Sequence, residues 1–205
     1  MRIALIVEGE TERAFLPYLR TFLQTKLAGS MPRLDPELYD GRIPTENKLK
    51  RIVENLLADR QNPADCVIAL TDVYTGTEPS LFASAMDAKT KMTQWVGHNP
   101  KFHPHVALHD FEAWLLPYWT TIQELAGHNK TAPRGSPEIV NNHHPPSYRI
   151  AEVFRIGRKG KAYVKPRDAS HILRENDLMV AIAQCPELKS FVNTILHVCG
   201  GSTIP

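Results

Sequence analysis

Four carboxylates stand where short apolar runs end. Glu8 follows Ile3-Ala4-Leu5-Ile6-Val7, Asp72 follows Cys66-Val67-Ile68-Ala69-Leu70-Thr71, and Asp110 and Glu112 follow Val106-Ala107-Leu108-His109. β-Branched apolar runs of this length read as buried strands. In α/β proteins the edge at which such strands finish is where ligands and metals bind. Acids gathered at one edge repel each other unless something positive lies among them. Their oxygens suit hard divalent cations such as Mg²⁺ or Mn²⁺. Asp110 and Glu112 are two apart, so in extended chain they point the same way. Each acid also has a plainer use, since carboxylates in a first turn complement the helix dipole; Glu10 and Glu12 are read that way.

The elements that must carry these acids alternate. After the first strand, Ala14, Phe15, Tyr18, Leu19, Phe22 and Leu23 recur at three and four, predicting a helix from Thr11 to about Leu27. Residues 34–43, with Pro36 and Gly41, read as a short or irregular strand. Thr45 reads as the N-cap of a second helix whose buried stripe is Leu49, Ile52, Val53, Leu56 and Leu57. A strand at 66–70, a helix over about 80–95 and a strand at about 102–108 follow. This is an α/β order, which predicts a central, mostly parallel sheet of about four strands flanked by helices. Beyond Phe111 short helical patterns and a proline-rich loop replace the alternation, and the tail 200–205 is expected to fray. The expected organisation is one domain over 1–205, with an α/β core over about 1–118 and a helical C-terminal part over about 119–205.

Composition narrows the partners. A net charge of +2 gives no global attraction to nucleic acid or membrane, so either would need a local patch. No run approaches the ~20 apolar residues of a membrane span, and the first residues do not read as a signal peptide. Cys66, Cys185 and Cys199 are scattered, without CxxC spacing, which points to a reducing cytoplasm. No GxSxG, P-loop or HExxH motif is present. His103, His105 and His109 would share one face of a strand, so a zinc site is conceivable, with His109 alternatively orienting the neighbouring acids.

A Glu-Gly after the first strand, an Asp after a later one and acids after a third are the layout of the Toprim fold. More closely, Val7-Glu8-Gly9-Glu10-Thr11-Glu12, Thr71-Asp72-Val73-Tyr74 and His109-Asp110-Phe111-Glu112-Ala113-Trp114-Leu115-Leu116 resemble the bacterial Toprim-like domain of unknown function 4276 family. Pro146-Ser147-Tyr148-Arg149, Tyr163-Val164-Lys165 and Cys185-Pro186-Glu187-Leu188 extend the resemblance over nearly the whole chain. It implies a Toprim-type nuclease in which Glu8 is the general acid/base and Glu8, Asp72, Asp110 and Glu112 hold one or two Mg²⁺ ions. Glu8, Asp72 and Lys165 are then the catalytic candidates. It further implies a phage-defence setting with an AAA or SMC-like ATPase partner. The general Toprim pattern has Asp-x-Asp where this chain has Asp72-Val73-Tyr74. A phenol, with an ordinary pKa of ~10, is a poor ligand for Mg²⁺, and Asp110 is the substitute.

Arg155, Arg158, Lys159, Lys161, Lys165 and Arg167 form a run without an acid among them, with Gly157 and Gly160 lending flexibility and Tyr163 an aromatic ring. Such a run can neutralise phosphates or simply be a solvated loop. Lys165 and Arg149 lie in the segments that carry the family resemblance, although Arg149 could equally pair with an acid. The leading expectation is a Mg²⁺-dependent nuclease. The alternatives are a non-catalytic Toprim-like adaptor that docks an ATPase, favoured by Tyr74, and a small-molecule phosphotransfer or hydrolytic enzyme.

Overall fold

The computed structural model describes residues 1–29, 31–39, 41–73, 81–140, 144–158 and 160–205. Its centre is a sheet of β1 (Arg2–Val7), β2 (Arg33–Leu38), β3 (Cys66–Asp72) and β4 (Phe102–Ala107), ordered β2-β1-β3-β4 and parallel throughout. The α/β alternation is as expected, and the fold is Toprim-like. β1 is sandwiched between two neighbours and covered on both faces, so every residue from Ile3 to Val7 is buried. At roughly 1.5–3 kcal/mol for each large side chain removed from water, this strand is a main anchor of the core.

Three helices make the crossovers: α1 (Glu10–Lys26), α2 (Glu46–Ala58) and α3 (Ala85–Val96). The chain leaves β1 toward β2, then returns past β1 to β3 and β4. Because right-handed crossovers running in opposite directions place their helices on opposite faces, α1 covers one face while α2 and α3 cover the other. The period-two pattern of the strands follows. Ile3, Leu5, Ile68 and Leu70 pack with Phe15 and Leu19 of α1, whereas Ala4, Ile6, Val67 and Ala69 pack with Leu49, Val53, Ala88 and Met92. The reversal of strand order falls between β1 and β3, and the crevice at the carboxyl ends of those two strands is the position where open α/β sheets bind ligands.

The rest of the chain completes the α1 face. A 3₁₀ segment, Phe111–Tyr118, leads into α4 (Trp119–Ala126), and after a second 3₁₀ turn at Pro137–Ile139 come α5 (Pro146–Ile156), α6 (Lys165–Arg174), α7 (Leu178–Gln184) and α8 (Pro186–Val198). Trp114 is the hub of an aromatic group, 5.2 Å from Phe111 and 6.0 Å from both Phe15 and Phe191, centroid to centroid. It therefore joins α1, the 3₁₀ segment and α8 in one core.

Three local expectations are corrected. Residues 33–38 form a regular edge strand, where Pro36 costs little because one side of the strand has no neighbour. α3 starts at Ala85, where Ser84 Oγ accepts from Asp87 N at 3.1 Å. The C-terminal tail is fastened: Asn193 accepts from Ile204 N at 2.8 Å and donates to Ile204 O at 2.9 Å.

Candidate active site

The parallel register brings the ends of β1, β3 and β4 to one edge, with Ile6 opposite Ala69 and Asp72 opposite Ala107. Glu8, Asp72 and the segment from His109 to Glu112 therefore meet beside the β1–β3 crevice. A cavity of about 300 Å³ opens there, with Glu8, Glu12, Asp72, Glu112 and Lys165 on its walls. Larger cavities exist, one of about 550 Å³ between α1, α6 and α7, but that one mixes Tyr18, Phe22, Leu178 and Met179 with Lys26 and Arg174 and holds one carboxylate, Asp177. The chemistry goes with the smaller space.

Glu8 is nearly buried, and its Oε1 accepts from the Thr71 hydroxyl and from Asp72 N at 3.1 Å. Burial outweighs these donors and lifts its pKa to about 7. Asp72 is held well above the usual carboxylate range by burial first and then by the charge of Glu8. Asp110 is fully buried; its Oδ2 accepts from Ser147 N, in the first turn of α5, at 3.1 Å, while Oδ1 has no hydrogen-bond partner among the described residues. Burial raises its pKa against the help of Ser147. Glu112, 1% exposed, receives Tyr163 Oη at 3.3 Å and Lys165 Nζ at 3.2 Å, and burial together with Asp110 still lifts it to about 7. The Tyr163 phenol is driven far up by burial and by Glu112, so it remains a donor. Burial alone would lower Lys165, but Glu112 and Asp110 outweigh it and the ammonium is held charged.

Sequence reasoning missed Glu12, Thr71 and Tyr163. Glu12 was expected to serve only the helix dipole, yet it is 6% exposed, lines the cavity, and has its pKa raised by burial. The available signal was its place in the first turn of α1, where a side chain at the helix start faces the strand end that precedes it. Thr71 and Tyr163 lie 63 and 51 residues from the carboxylates they serve, a pairing that no local pattern carries.

The basic residues separate. Lys165 reaches the cavity, and Arg167 is committed to both oxygens of Asp168 at 2.8 and 2.9 Å. Arg149 donates to His144 O at 3.2 Å near the start of α5. Arg155 and Lys161 are exposed, and Arg158 lines a separate cavity with Gly127 and His128. Lys159 and Tyr74 lie outside the described residues. Gly157 is not a flexible joint: a Cβ there would stand 2.1 Å from Ala126 O, so glycine is what lets the end of α5 press onto α4. The three histidines do not form a zinc cluster. β4 ends at Ala107, which takes His109 off the strand. His105 is buried against Phe191, bonded to Thr194 at 3.0 Å, and pushed down to about 3 by burial. His109 is likewise lowered by burial and bonds the backbone of Val73, beside Asp72.

The donor set suits a hard divalent cation in kind, because every group is a carboxylate oxygen and Asp110 Oδ1 is buried without a donor among the described residues. Among the described residues, no three His, Cys, Asp or Glu side chains are yet spaced to share one ion.

Comparison with known proteins agrees with this architecture. No curated protein matches the chain significantly. Among solved structures it is similar to the C-terminal region of the Burkholderia pseudomallei OLD protein, with a TM-score of 0.53 and 12% identity over 96% of this chain and 98% of that one. At that identity the likeness speaks for the fold alone. The model of the family described as domain of unknown function DUF4276 matches residues 7–196, and the chain belongs to that family.

Proposed function

We propose that this protein is a metal-dependent phosphodiesterase acting on nucleic acid. The observation that carries the reading is the cavity at the β1–β3 crevice, where Glu8, Glu12, Asp72 and Glu112 crowd together with Lys165 as the cation on their wall. Buried like charges at this density are costly and persist where they hold something positive. A Mg²⁺ or Mn²⁺ ion held by Asp72, Asp110 and Glu112 with Glu8 would supply charge stabilisation at a phosphate.

Glu8, with a pKa of about 7, can take or give a proton at neutral pH, as a general acid/base must. Its two donors both fall on Oε1, which orients the carboxylate and leaves Oε2 for proton transfer. Lys165 neutralises Glu112 in the resting site, and with Glu112 engaged by a cation its ammonium would be free to meet a phosphate oxygen. Tyr163 keeps Glu112 oriented during the exchange. In this reading residues 1–205 act as one unit, since Lys165 comes from the helical C-terminal part and the acids from the α/β core.

The family resemblance adds a phage-defence setting and an AAA or SMC-like ATPase partner, and co-purification would read out that assembly. Among the described residues no helix is long and apolar enough to cross a membrane. Cys66 and Cys185 are buried free thiols, which fits a cytoplasmic chain. One observation favours the adaptor reading instead: Glu112 is already satisfied by Tyr163 and Lys165 without any ion.

A calorimetric Mn²⁺ titration of wild type beside Asp72→Asn, followed by a nuclease screen, tests the proposal. Saturable sub-millimolar binding that Asp72→Asn abolishes, with cleavage that follows it, is expected. No binding by a folded wild-type chain would transfer the case to the adaptor.

A further inference from the structure

Resting on the nuclease reading, we propose that the outer face of α2, continued by Arg42, is the track along which a nucleic-acid backbone reaches the acidic cavity. An acidic cavity repels a polyanion, so cations must flank its mouth if phosphates are to approach. With a net charge of only +2, that attraction has to be local.

α2 runs antiparallel to the strands, so its first turns lie at the carboxyl edge of the sheet, where the acids are. The link is short. Tyr39 N bonds Val7 O at 3.0 Å beside Glu8, Gly41 lines the cavity itself, and the charge of Arg42 is felt at Glu8. From there the helix buries Leu49 and Val53 and turns Asn47, Lys48, Arg51 and Asn55 outward. Their spacings of three, four and eight make one continuous stripe. With Ile52 as its floor, this stripe forms a groove of about 510 Å³.

Among the described residues the cations of this face are uncommitted, as are Arg155, Arg158 and Lys161; what sets the face apart is that it continues into the acidic cavity through Gly41. Arg42, Lys48 and Arg51 make no ion pair among the described residues, whereas Lys50 pairs with Glu54, Lys165 with Glu112 and Arg167 with Asp168. The two asparagines add amide donors, which suit phosphate and sugar oxygens without reading sequence. At 1.5 Å per residue the stripe from Asn47 to Asn55 is about 12 Å long, enough for about three phosphates at 3.4 Å per strand step. The chemistry fits a phosphate backbone of either nucleic acid.

Fluorescence anisotropy with labelled oligonucleotides, single-stranded and duplex, in EDTA, tests the track. The proteins are wild type, Lys48→Ala/Arg51→Ala, the charge-keeping Lys48→Arg/Arg51→Lys, and Arg155→Ala/Lys161→Ala from the other basic segment. Lys48→Ala/Arg51→Ala is expected to weaken binding about tenfold or more at low salt and to flatten the log K against log salt slope by about 2. The charge-keeping variant should restore both, and Arg155→Ala/Lys161→Ala should change neither. Unaltered melting and Mn²⁺ binding show that fold and acidic site are intact. If wild type binds but the alanine variant matches it in affinity and slope, or the charge-keeping variant fails to restore binding, the track is wrong while the nuclease reading stands. If wild type binds no oligonucleotide, the nucleic-acid reading falls and the track with it.

Discussion

Two buried carboxylate sites in this molecule look alike by burial and differ in what surrounds them. Glu138, 4% exposed, accepts from Trp114 Nε1 at 3.1 Å, from Glu187 N at 3.0 Å and from Leu188 N at 3.4 Å. It serves as a long-range N-cap for α8 and anchors the Trp114 hub. The strand-end acids are comparably buried but gathered at one edge, and Asp110 Oδ1 has no donor among the described residues. Burial raises the pKa in both places. A raised pKa therefore does not distinguish a structural carboxylate from a functional one here. The kind and share of donors does: Glu138 is held by backbone and indole N–H groups alone, Glu112 draws on a phenol and an ammonium, and Asp110 keeps one oxygen without a donor among the described residues.

The comparison breaks most sharply on catalysis. Glu8→Gln keeps the shape and an acceptor for Thr71 but removes the proton exchange, so cleavage should fall by roughly 10²–10⁴-fold. The metal-free melting temperature at neutral pH should hold or rise, because one buried like charge is gone. Single-turnover cleavage alongside a thermal melt checks both. A variant that cleaves normally would remove Glu8 from the mechanism.

Glu138→Ala should do the reverse. It strands two first-turn N–H groups of α8 and the Trp114 indole, and at roughly 1–3 kcal/mol per buried unsatisfied group the loss should be about 4 kcal/mol, allowing for partial relaxation. Urea unfolding measures it, and Mn²⁺ affinity per folded molecule should not change. If stability stays while metal binding fails, the division between the two sites is wrong.

pH separates them further. Glu8 titrates near 7 in the folded chain against an ordinary 4.5, so the native state holds more protons than the unfolded state between those values. Its contribution to stability is fully present below about 4.5 and is lost as pH rises through about 7, on the order of 3 kcal/mol for Glu8 alone. His105, lowered to about 3 by burial, works the other way up to its ordinary 6.5, so Glu8→Gln is the reference: metal-free wild type should melt progressively lower relative to that variant over the range. Mn²⁺ should restore the loss at and above neutrality, since binding displaces protons. A wild-type melting temperature that does not fall relative to Glu8→Gln from pH 4.5 to 7 without metal would overturn the raised value of Glu8.

Much of the frame was legible because buried strands announce themselves. Ile3 to Val7, the 66–70 run and Val106 are apolar since each is covered on both faces, and the acids follow where the runs stop. β2 was only faintly legible, as a short or irregular strand, for the opposite reason: as an edge strand it buries only Leu34 completely, and Pro36 and three charges hide the rest. Within the site, Glu8, Asp72, Asp110 and Glu112 could be picked out as strand-end acids, and Lys165 came through the family resemblance. Glu12 was masked by its ordinary role at a helix start. Glu138 sits between Gly135 and Val140 in a loop whose sequence says nothing about α8, since the donors that define its role lie 49 and 50 residues away.

The finest contrast lies in Tyr163→Phe. The ring packs 5.4 Å from Phe154 and keeps that contact as phenylalanine, so only the hydroxyl bond to Glu112 at 3.3 Å is lost. A single such bond is worth about 1 kcal/mol. At Glu138, where other donors remain, losing one would be shared among them. At Glu112 the loss leaves Lys165 as the one remaining side-chain donor among the described residues. The charged form is then less favoured, and the pH at which Mn²⁺ binding reaches half its plateau should move up by somewhat less than one unit. Global stability should change by no more than that bond. An unmoved midpoint would mean that Glu112 does not exchange its proton for the metal, and would leave Glu8 and Asp72 as the pair that does.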